Sequence, residues 1–306
     1  MSSKGFFRDK PLTLRVPATS GNLGSGFDAL GLALGLHNEV RATRAERWSM
    51  TTLGEGEGEL PAARGNLLHE AYRAAFALRR QPPVPLAVTV QAQIPLARGL
   101  GSSAAAIAAG ICLAAPLAYP ALTLDEAIAL GTKLEGHPDN VLSALVGGIT
   151  AGAAGRDGRV AWLRLSEGRG LAVVVLVPRR RLATKTARGV LPAKVPMADA
   201  VFNLSRAALL AAALATGERA PLGVALADRL HQPYRARLVP GLTRALRGAT
   251  SFGAHGAYLS GAGPSIAFLF DASAADAALP RIAAAFPGFA VRALPISPRG
   301  AWTRTA

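Results

Sequence analysis

The sequence predicts an α+β protein of two domains. A chain of 306 residues, half of them apolar and only 6% aromatic, is long enough to bury two sizeable cores. Strands come first and helices lie between them in mixed order, which is typical of an α+β fold. The pattern changes near residues 155–170. We therefore expect one domain over residues 1–165 and a second over residues 166–306.

The elements of the first domain are predicted from hydrophobic periodicity and turn residues. The stretch from Leu86 to Ile94 alternates as a strand does. The stretch from Ala104 to Leu117 is rich in Ala and Ile and predicts a buried helix. The full prediction comprises strands over 11–16, 36–43 and 86–94, helices over 66–79, 103–117 and 124–133, and a hairpin over 147–152 and 160–165.

The second domain is predicted in the same way. The run Leu171–Val177 is apolar throughout and stops at Pro178, which indicates a buried strand. Two more strands flank a Gly-Ala-Gly-Pro turn between Gly256 and Phe270. The remaining elements are helices over 196–217, 221–230 and 273–286, and a last strand over 288–295.

Composition limits the class of protein. The net charge is +15, from 34 basic and 19 acidic side chains, which suits either nucleic acid or an anionic substrate. The arginines are scattered or form short clusters such as Arg179–Arg181, with no interleaved aromatics. This favours a solvated surface without a nucleic-acid partner.

Cysteine content and hydropathy predict the compartment. The single cysteine, Cys112, excludes an internal disulfide, fits a reducing compartment and is expected in the core. Residues Met1–Lys10 have no apolar signal core, and the apolar run 104–119 is short for a membrane span. We expect a cytoplasmic protein without a membrane partner.

A glycine-rich segment between a predicted strand and a predicted helix carries the strongest functional signal. Glycines let the backbone approach a ligand closely, and the unpaired N–H groups of a helix N-terminus bind anions, so phosphate is the first hypothesis. No lysine follows Gly101, which excludes a Walker-type loop. A dinucleotide fingerprint fits only loosely, and a turn without ligand stays open. The segment is Pro95, Leu96, Ala97, Arg98, Gly99, Leu100, Gly101, Ser102, Ser103, Ala104 and Ala105.

Two other glycine-rich segments accompany it. In the loop from Val16 to Gly31, Asn22 can hydrogen-bond a substrate and Asp28 can pair with an ammonium group, although both can also cap local backbone groups. The turn from Ser260 to Ser265 contains Gly261 and Gly263, whose N–H groups can face phosphate.

A cluster of polar side chains interrupts an apolar region. The segment reads Glu135-Gly-His137-Pro-Asp139-Asn140 and is followed by Val141–Val146. Buried polar groups need partners or a ligand. Zinc needs more His or Cys, whereas a carboxylate beside a phosphate loop suits Mg²⁺.

Together the four segments resemble the GHMP kinase family in order and spacing over nearly the whole chain. Residues 95–105 match its ATP-phosphate motif and residues 260–265 match its C-terminal glycine motif. The resemblance implies an N-terminal domain of the ribosomal-protein-S5-domain-2-like type and a ferredoxin-like C-terminal domain. ATP and Mg²⁺ are expected between them.

Within the family the chain looks most like the homoserine kinases. The segments that carry this resemblance are Val16–Ala33, Glu135–Val141, Thr184–Arg188 with Leu191–Pro192, and Asp228–Arg235. The resemblance implies phosphorylation of the side-chain hydroxyl of L-homoserine by MgATP, in threonine biosynthesis. A kinase of another small alcohol and a basic nucleic-acid-binding protein with an S5-like fold are the alternatives. The oligomeric state is left open, with a homodimer as one option.

Charge assigns roles around such a substrate. Asp28 suits its ammonium group, and Arg188 and Arg235 suit its carboxylate because arginine forms bidentate pairs. Arg235 can instead bond the last carbonyls of its own helix, and His137 can be part of a capped turn. The hydroxyl end is assigned to Asn22, His137, Asp139 and Asn140, Mg²⁺ to Ser103 and Glu135, and adenine to Asn66.

The chain departs from its relatives in two places. Some homoserine kinases carry the metal carboxylate eight residues before the histidine, where this chain has Ala129, so Glu135 must serve. Mevalonate-kinase-like members carry an Asp base near the acceptor, whereas Asn140 cannot act as a base. The resemblance then implies catalysis by positioning and electrostatics, with Asp139 as the remaining proton acceptor.

Overall fold

The computed structural model describes residues 11–302. The segment Met1–Lys10, in which no signal core was found, lies outside the described residues. Within them, two β-sheets are packed with helices. The predicted α+β class is confirmed.

The first sheet belongs to the first half of the chain and has six strands in the order β3-β4-β2-β5-β6, with β1 paired to β2. All pairings are antiparallel except that of β3 with β4. The 15-residue β2 is long enough to pair with β5 near its start and β4 near its end. The strands are β1 (Leu12–Gly21), β2 (Leu30–Arg44), β3 (Ser49–Gly54), β4 (Leu86–Ala92), β5 (Ile149–Ala154) and β6 (Val160–Ser166).

Helices of the first half form around α2, which is apolar on nearly every side and buried. Its Cys112 is in the core as predicted, and burial raises the pKa of the thiol to about 12. Asn66 caps α1, and Thr123 forms a capping box with Glu126 at the start of α3. The helices are α1 (Leu67–Ala77), α2 (Ser102–Ala114), α3 (Leu124–Glu135) and α4 (Pro138–Val146).

The second sheet is antiparallel, in the order β10-β7-β9-β8. Counted along the chain this order is 4-1-3-2, the ferredoxin-like arrangement that the resemblance implied. Its strands are β7 (Leu171–Pro178), β8 (Gly256–Leu259), β9 (Ile266–Asp271) and β10 (Phe289–Pro295). The accompanying helices are α5 (Thr184–Arg188), α6 (Met197–Thr216), α7 (Leu222–Ala225), α8 (Gln232–Arg235), α9 (Leu242–Gly248) and α10 (Ala272–Ala285).

The alternating sides of β7 join two cores. Val173 and Val175 pack into the core that also holds the first sheet, whereas Val174 and Leu176 pack against α9 and α10. The chain changes sheets between Ser166 and Leu171, and the domain boundary near residue 165 stays a prediction.

The apolar run 104–119 was expected to be too short for a membrane span, but another segment, helix α6, is long enough. By length and composition alone its 20 residues are enough, and 22% of its most apolar window is buried. Its buried Asn203 donates a hydrogen bond to the backbone oxygen of Ser25 at 2.9 Å. This bond attaches the helix to the glycine-rich loop between β1 and β2.

Several element bounds were predicted wrongly. Strand β1 continues to Gly21 and β2 already begins at Leu30, because small buried residues there pair closely in place of the β-branched residues that signal a strand. Helix α4 was not predicted; it begins at Pro138, and Pro is favoured in the first turn of a helix. Strand β3 and helices α5 and α9 were also missed, and only four residues of the predicted helix 221–230 are helical, in α7.

Candidate active site

A cleft of about 490 Å³ lies between the two halves of the chain. It has an apolar end and a polar end, with the glycine-rich segment 95–105 along one wall. The apolar end includes Val40, Met50, Val90 and Leu96. The polar end includes Asp28, Glu135, His137, Asn140, Arg188 and Arg235.

The segment before α2 forms an anion cradle. Gly101 is the N-cap of α2 and has a left-handed backbone, with φ of +68°. The backbone N–H groups from Gly99 to Ser103 have no hydrogen-bond partner within residues 11–302. They are joined by the positive end of the helix dipole. This geometry supports the predicted phosphate site.

Two glycines of the cradle are required by close contacts. A Cβ atom at Gly101 would collide with Oγ1 of Thr19, and one at Gly99 would collide with the backbone oxygen of Ser260. Both positions also have a positive φ. The loop can therefore approach these neighbours only as glycine.

The substitution Gly101→Ala is expected to weaken nucleotide binding at least about tenfold, because its Cβ displaces the cradle from Thr19. Calorimetric titration with an ATP analogue measures the effect. Gly217→Ala is the matched control, since Gly217 has a φ of +83° but open space around it. Equal affinities of the two variants would show that the close contact at Gly101 is unimportant.

The second glycine motif supports the first. The N–H of Gly261 donates to the backbone oxygen of Gly21 at 3.1 Å, and that of Gly263 donates to Ser260 at 2.9 Å. Oγ of Ser260 donates to the backbone oxygen of Gly99 at 2.6 Å. Both glycines line the cleft. Because both N–H groups are used inside the protein, this geometry gives no support to phosphate binding through them, and a contact of Gly261 and Gly263 to ATP stays a prediction.

The loop between β1 and β2 has an unusual backbone. Asn22, Leu23 and Asp28 all have positive φ although none is glycine. Oδ1 of Asn22 accepts from the N–H of Asp28 at 3.0 Å, and its Nδ2 donates to the backbone oxygen of Gly261 at 2.7 Å. Asn22 thus shapes the loop that presents Asp28, and the substrate contact of its side chain stays a prediction.

Asp28 and Arg188 face each other across the polar end of the cleft. Nη1 and Nη2 of Arg188 donate to the two carboxylate oxygens of Asp28 at 3.0 and 2.7 Å. This bidentate bond raises the pKa of Arg188 above its ordinary value. The two residues predicted to bind opposite ends of an amino acid thus form one ion pair.

Arg235 is held by three backbone and side-chain acceptors. Its Nε donates to Ala187 at 3.1 Å, and its Nη1 donates to Nδ1 of His231 at 3.2 Å and to the backbone of Gly261 at 3.4 Å. Nη2 has no partner among the described residues and belongs to a side chain that lines the cleft. The alternative that Arg235 bonds the last carbonyls of its own helix is wrong.

The positive charge of Arg235 is buried, which is unfavourable for a cation. Its residue is 1% exposed, and burial together with the nearby Arg188 lowers the pKa of its guanidinium to about 10. It stays a cation at neutral pH. Arg188 is paired with Asp28, but the hydrogen bonds of Arg235 go to neutral acceptors. This excess of positive charge favours binding of a carboxylate.

Asp139 lies behind His137 and not on the cleft surface. It is 1% exposed; its Oδ1 is bonded to Nδ1 of His137 at 2.5 Å and its Oδ2 accepts from the N–H of Asn22 at 3.2 Å. Burial opposes a charge on His137, but the bond to Asp139 and the surrounding carboxylates outweigh it, so the pKa of His137 is raised. Both carboxylate oxygens are already bonded inside the protein, so this geometry gives no support to direct proton acceptance by Asp139, which stays a prediction.

Asn140 lines the polar end of the cleft. Its Oδ1 accepts from Oγ1 of Thr19 at 2.9 Å, which fixes the orientation of the amide. Its Nδ2 has no partner within the described residues and is available to donate to a ligand oxygen.

Ser103 and Glu135 join at the cradle. Oγ of Ser103 donates to Oε2 of Glu135 at 2.6 Å, and burial raises the pKa of Glu135 despite this bond. A hydroxyl and a carboxylate beside unpaired phosphate-binding N–H groups fit Mg²⁺, which prefers oxygen ligands. Asp28, His137 and Asp139 can also bring one atom each within 4.8 Å of one another, but all three are already engaged in pairs.

A strap over the apolar end was not predicted from the sequence. Its residues 54–65 begin with a Gly-Glu repeat, which was the signal available. Glu59 forms a two-bond ion pair with Arg181, at 2.6 and 3.0 Å, and Glu55 pairs with Arg98 at 3.0 Å. Next to it, both polar side-chain atoms of Asn66 are used for local bonds, so its predicted contact to adenine is not supported.

Comparisons with known proteins agree with this geometry. The family described as GHMP kinases N terminal domain matches residues 66–148, and GHMP kinases C terminal matches residues 210–288. Homoserine kinases of Moorella thermoacetica and Thermus thermophilus are each 46% identical, over 83% and 84% of this chain and 85% and 86% of theirs. The crystal structure of homoserine kinase from Cytophaga hutchinsonii superposes with a TM-score of 0.84 at 24% identity, covering 96% of this chain and 98% of that one. The chain therefore belongs to the GHMP kinase family, and within it to the homoserine kinases.

Proposed function

We propose that this chain transfers the γ-phosphoryl group of MgATP to the side-chain hydroxyl of L-homoserine, giving O-phospho-L-homoserine and ADP in threonine biosynthesis. One observation carries the proposal. The anion cradle before α2 opens into the same cleft as an acid and two arginines that suit an amino acid. The proposal includes a cytoplasmic location without a nucleic-acid or membrane partner, and a homodimer stays one option.

The amino acid lies at the polar end in this proposal. Its carboxylate accepts hydrogen bonds from Nη2 of Arg235, and its ammonium group approaches Asp28. Because Arg188 is the only cation bonded to Asp28 within residues 11–302, Asp28 can accept the ammonium while keeping part of that pair. The side-chain hydroxyl then extends towards Asn140 and the cradle.

The nucleotide lies along the rest of the cleft. Its phosphates accept hydrogen bonds from the N–H groups of Gly99–Ser103, and its base occupies the apolar end under the strap. Ser103 and Glu135 would hold Mg²⁺, which neutralises charge on the phosphates when it is bound.

The reaction forms a bond between the substrate oxygen and the γ-phosphorus while the bond to the bridging oxygen of ADP breaks. The transition state of phosphoryl transfer is loose, so the hydroxyl proton leaves late, to the transferred phosphate or to solvent. Asn140 orients the reacting oxygens through Nδ2. The bond to Asp139 holds His137 beside them and raises its pKa, which favours the protonated ring that can stabilise the developing negative charge.

The test is ADP release by the purified chain with MgATP and L-homoserine, L-threonine, L-serine or mevalonate offered separately. We expect turnover with L-homoserine to exceed that with the others by about 10² or more, because they do not match both the charged end and the hydroxyl reach. ADP release with one of the other alcohols and not with L-homoserine would show that the proposed substrate is wrong. Salt-sensitive RNA retention without any ATP turnover would favour the nucleic-acid alternative.

A further inference from the structure

We infer that His231 is a positioning residue that aims Arg235 at the substrate, and that it does so as a neutral imidazole with its proton on Nε2. The inference rests on the proposed function because it concerns recognition of the substrate carboxylate. His231 itself is completely buried and does not line the cleft.

The partners of the imidazole determine its tautomer. The nearest partner of Nδ1 is Nη1 of Arg235 at 3.2 Å, and a guanidinium can only donate, so Nδ1 must accept. The partner of Nε2 is the backbone oxygen of Gly24 at 2.9 Å, which can only accept, so Nε2 must carry the proton. A doubly protonated ring would direct an N–H at Arg235 and repel it.

The charges around the ring are compatible with this state. Burial and the adjacent Arg235 lower the pKa of His231, outweighing the opposite effects of Asp228, at 3.5 Å, and Asp28. The Asp228 carboxylate is occupied elsewhere: it accepts from the N–H groups of Leu230, His231 and Gln232 at 2.8, 3.1 and 2.7 Å.

The ring is also fixed in position. It stacks on Phe27 with centroids 4.9 Å apart and an angle of 20° between the planes. The guanidinium of Arg235 lies 5.3 Å from the same Phe27 ring. Oε1 of Gln232 accepts from the N–H of Leu259 at 2.8 Å, which ties the start of α8 to the second sheet. His231 therefore connects the loop that carries Asp28 with the arginine that faces it.

Arg235 depends on this acceptor. Its other two anchors are backbone oxygens of Ala187 and Gly261, and the contact to Gly261 is the longest of the three, at 3.4 Å. If the acceptor at Nδ1 of His231 is lost, the guanidinium of Arg235 can rotate about its Cδ–Nε bond. The direction in which Nη2 points is then no longer fixed. Substrate affinity then falls, whereas ATP affinity does not.

Two substitutions separate the contacts of the ring. The amide of Asn reaches about the position of Nδ1, and the amide of Gln reaches about that of Nε2. His231→Asn can therefore keep the acceptor for Arg235 and lose the bond to Gly24, whereas His231→Gln does the opposite. If His231 served only the folding of the chain, His231→Asn and His231→Gln would have similar effects on substrate affinity.

We expect His231→Gln to raise the Kd and KM for L-homoserine about tenfold or more, with the KM for ATP changed less than about twofold. His231→Asn is expected to stay within about threefold of the parent. His255→Gln is the matched control, because His255 pairs with Asp271 at 3.1 Å and does not line the cleft. Calorimetry measures Kd, steady-state kinetics measures KM, and thermal unfolding shows that each variant is folded.

The substrate can be truncated in parallel. With 3-aminopropan-1-ol, which is homoserine without its carboxylate, the difference between His231→Gln and the parent should disappear. Equal effects of Asn and Gln, or an effect that persists without the carboxylate, would overturn the inference. Failure of the parent to turn over L-homoserine would instead refute the proposed reaction, while Kd values would still decide the role of His231.

Discussion

Replacing Arg235 by Lys is expected to lower kcat/KM for L-homoserine by about 10² to 10³, with the KM for ATP little changed. Charge-assisted hydrogen bonds contribute about 1.5–3 kcal/mol each, and the free Nη2 group supplies two N–H donors. Lysine keeps one charge but has no planar fork, so it cannot hold three internal acceptors and still present two donors to a carboxylate.

Steady-state kinetics with each substrate varied in turn measures this change. Arg237→Lys is the matched control, because Arg237 is exposed two residues further along and does not line the cleft. An unchanged KM for L-homoserine in the Arg235→Lys variant would show that the carboxylate binds elsewhere.

Glu135→Gln is expected to reduce kcat on the order of 10³-fold and at the same time stabilise the protein without ligands. The loss of activity follows from removal of the carboxylate that would hold Mg²⁺, whose effect on charge in phosphoryl transfer amounts to several kcal/mol. The gain in stability follows from the buried position of the carboxylate, which raises its pKa.

The sign of the stability effect depends on pH. A carboxyl whose pKa is raised on folding stabilises the protein fully below its ordinary pKa of 4.5, and this contribution is lost as the pH rises through the higher folded value. Above that folded pKa the buried carboxylate destabilises the fold, so glutamine should raise the unfolding midpoint at pH 7.5 by roughly 2 °C. Near pH 4 the gain should vanish.

Thermal unfolding at both pH values, without Mg²⁺, measures this difference. Glu46→Gln removes the same charge from an exposed residue and should shift neither midpoint nor activity. A lower midpoint at pH 7.5 for Glu135→Gln would contradict the assigned burial cost, and unchanged activity would exclude Glu135 as the metal ligand.

The parts of the fold that could be predicted are those with strong local signals. The apolar run of β7 and the turn from strand β4 to helix α2 are determined by residues close in sequence. Strand β3 has no such signal, since it is an edge strand whose side chains are half-buried or exposed. The start of α4 was missed because Pro138 marks either a break or a first turn.

The sequence predicted which residues lie in the site but not the hydrogen bonds between them. Asp28, Arg188 and Arg235 were expected near one another, and they line one cleft. The side chains of Asn22 and Asp139 each have one bond to a residue more than a hundred positions away, from Asn22 to Gly261 and from Asp139 to the N–H of Asn22, and local sequence does not reveal these partners. Which atoms remain free for a ligand is determined by these long-range bonds.

The most direct test of the account is a crystal structure with L-homoserine, Mg²⁺ and a non-hydrolysable ATP analogue. The account predicts the substrate carboxylate within hydrogen-bond distance of Nη2 of Arg235, its ammonium group at Asp28, and the triphosphate against the N–H groups of Gly99–Ser103. Phosphates bound away from the cradle, or a carboxylate that does not contact Arg235, would contradict it.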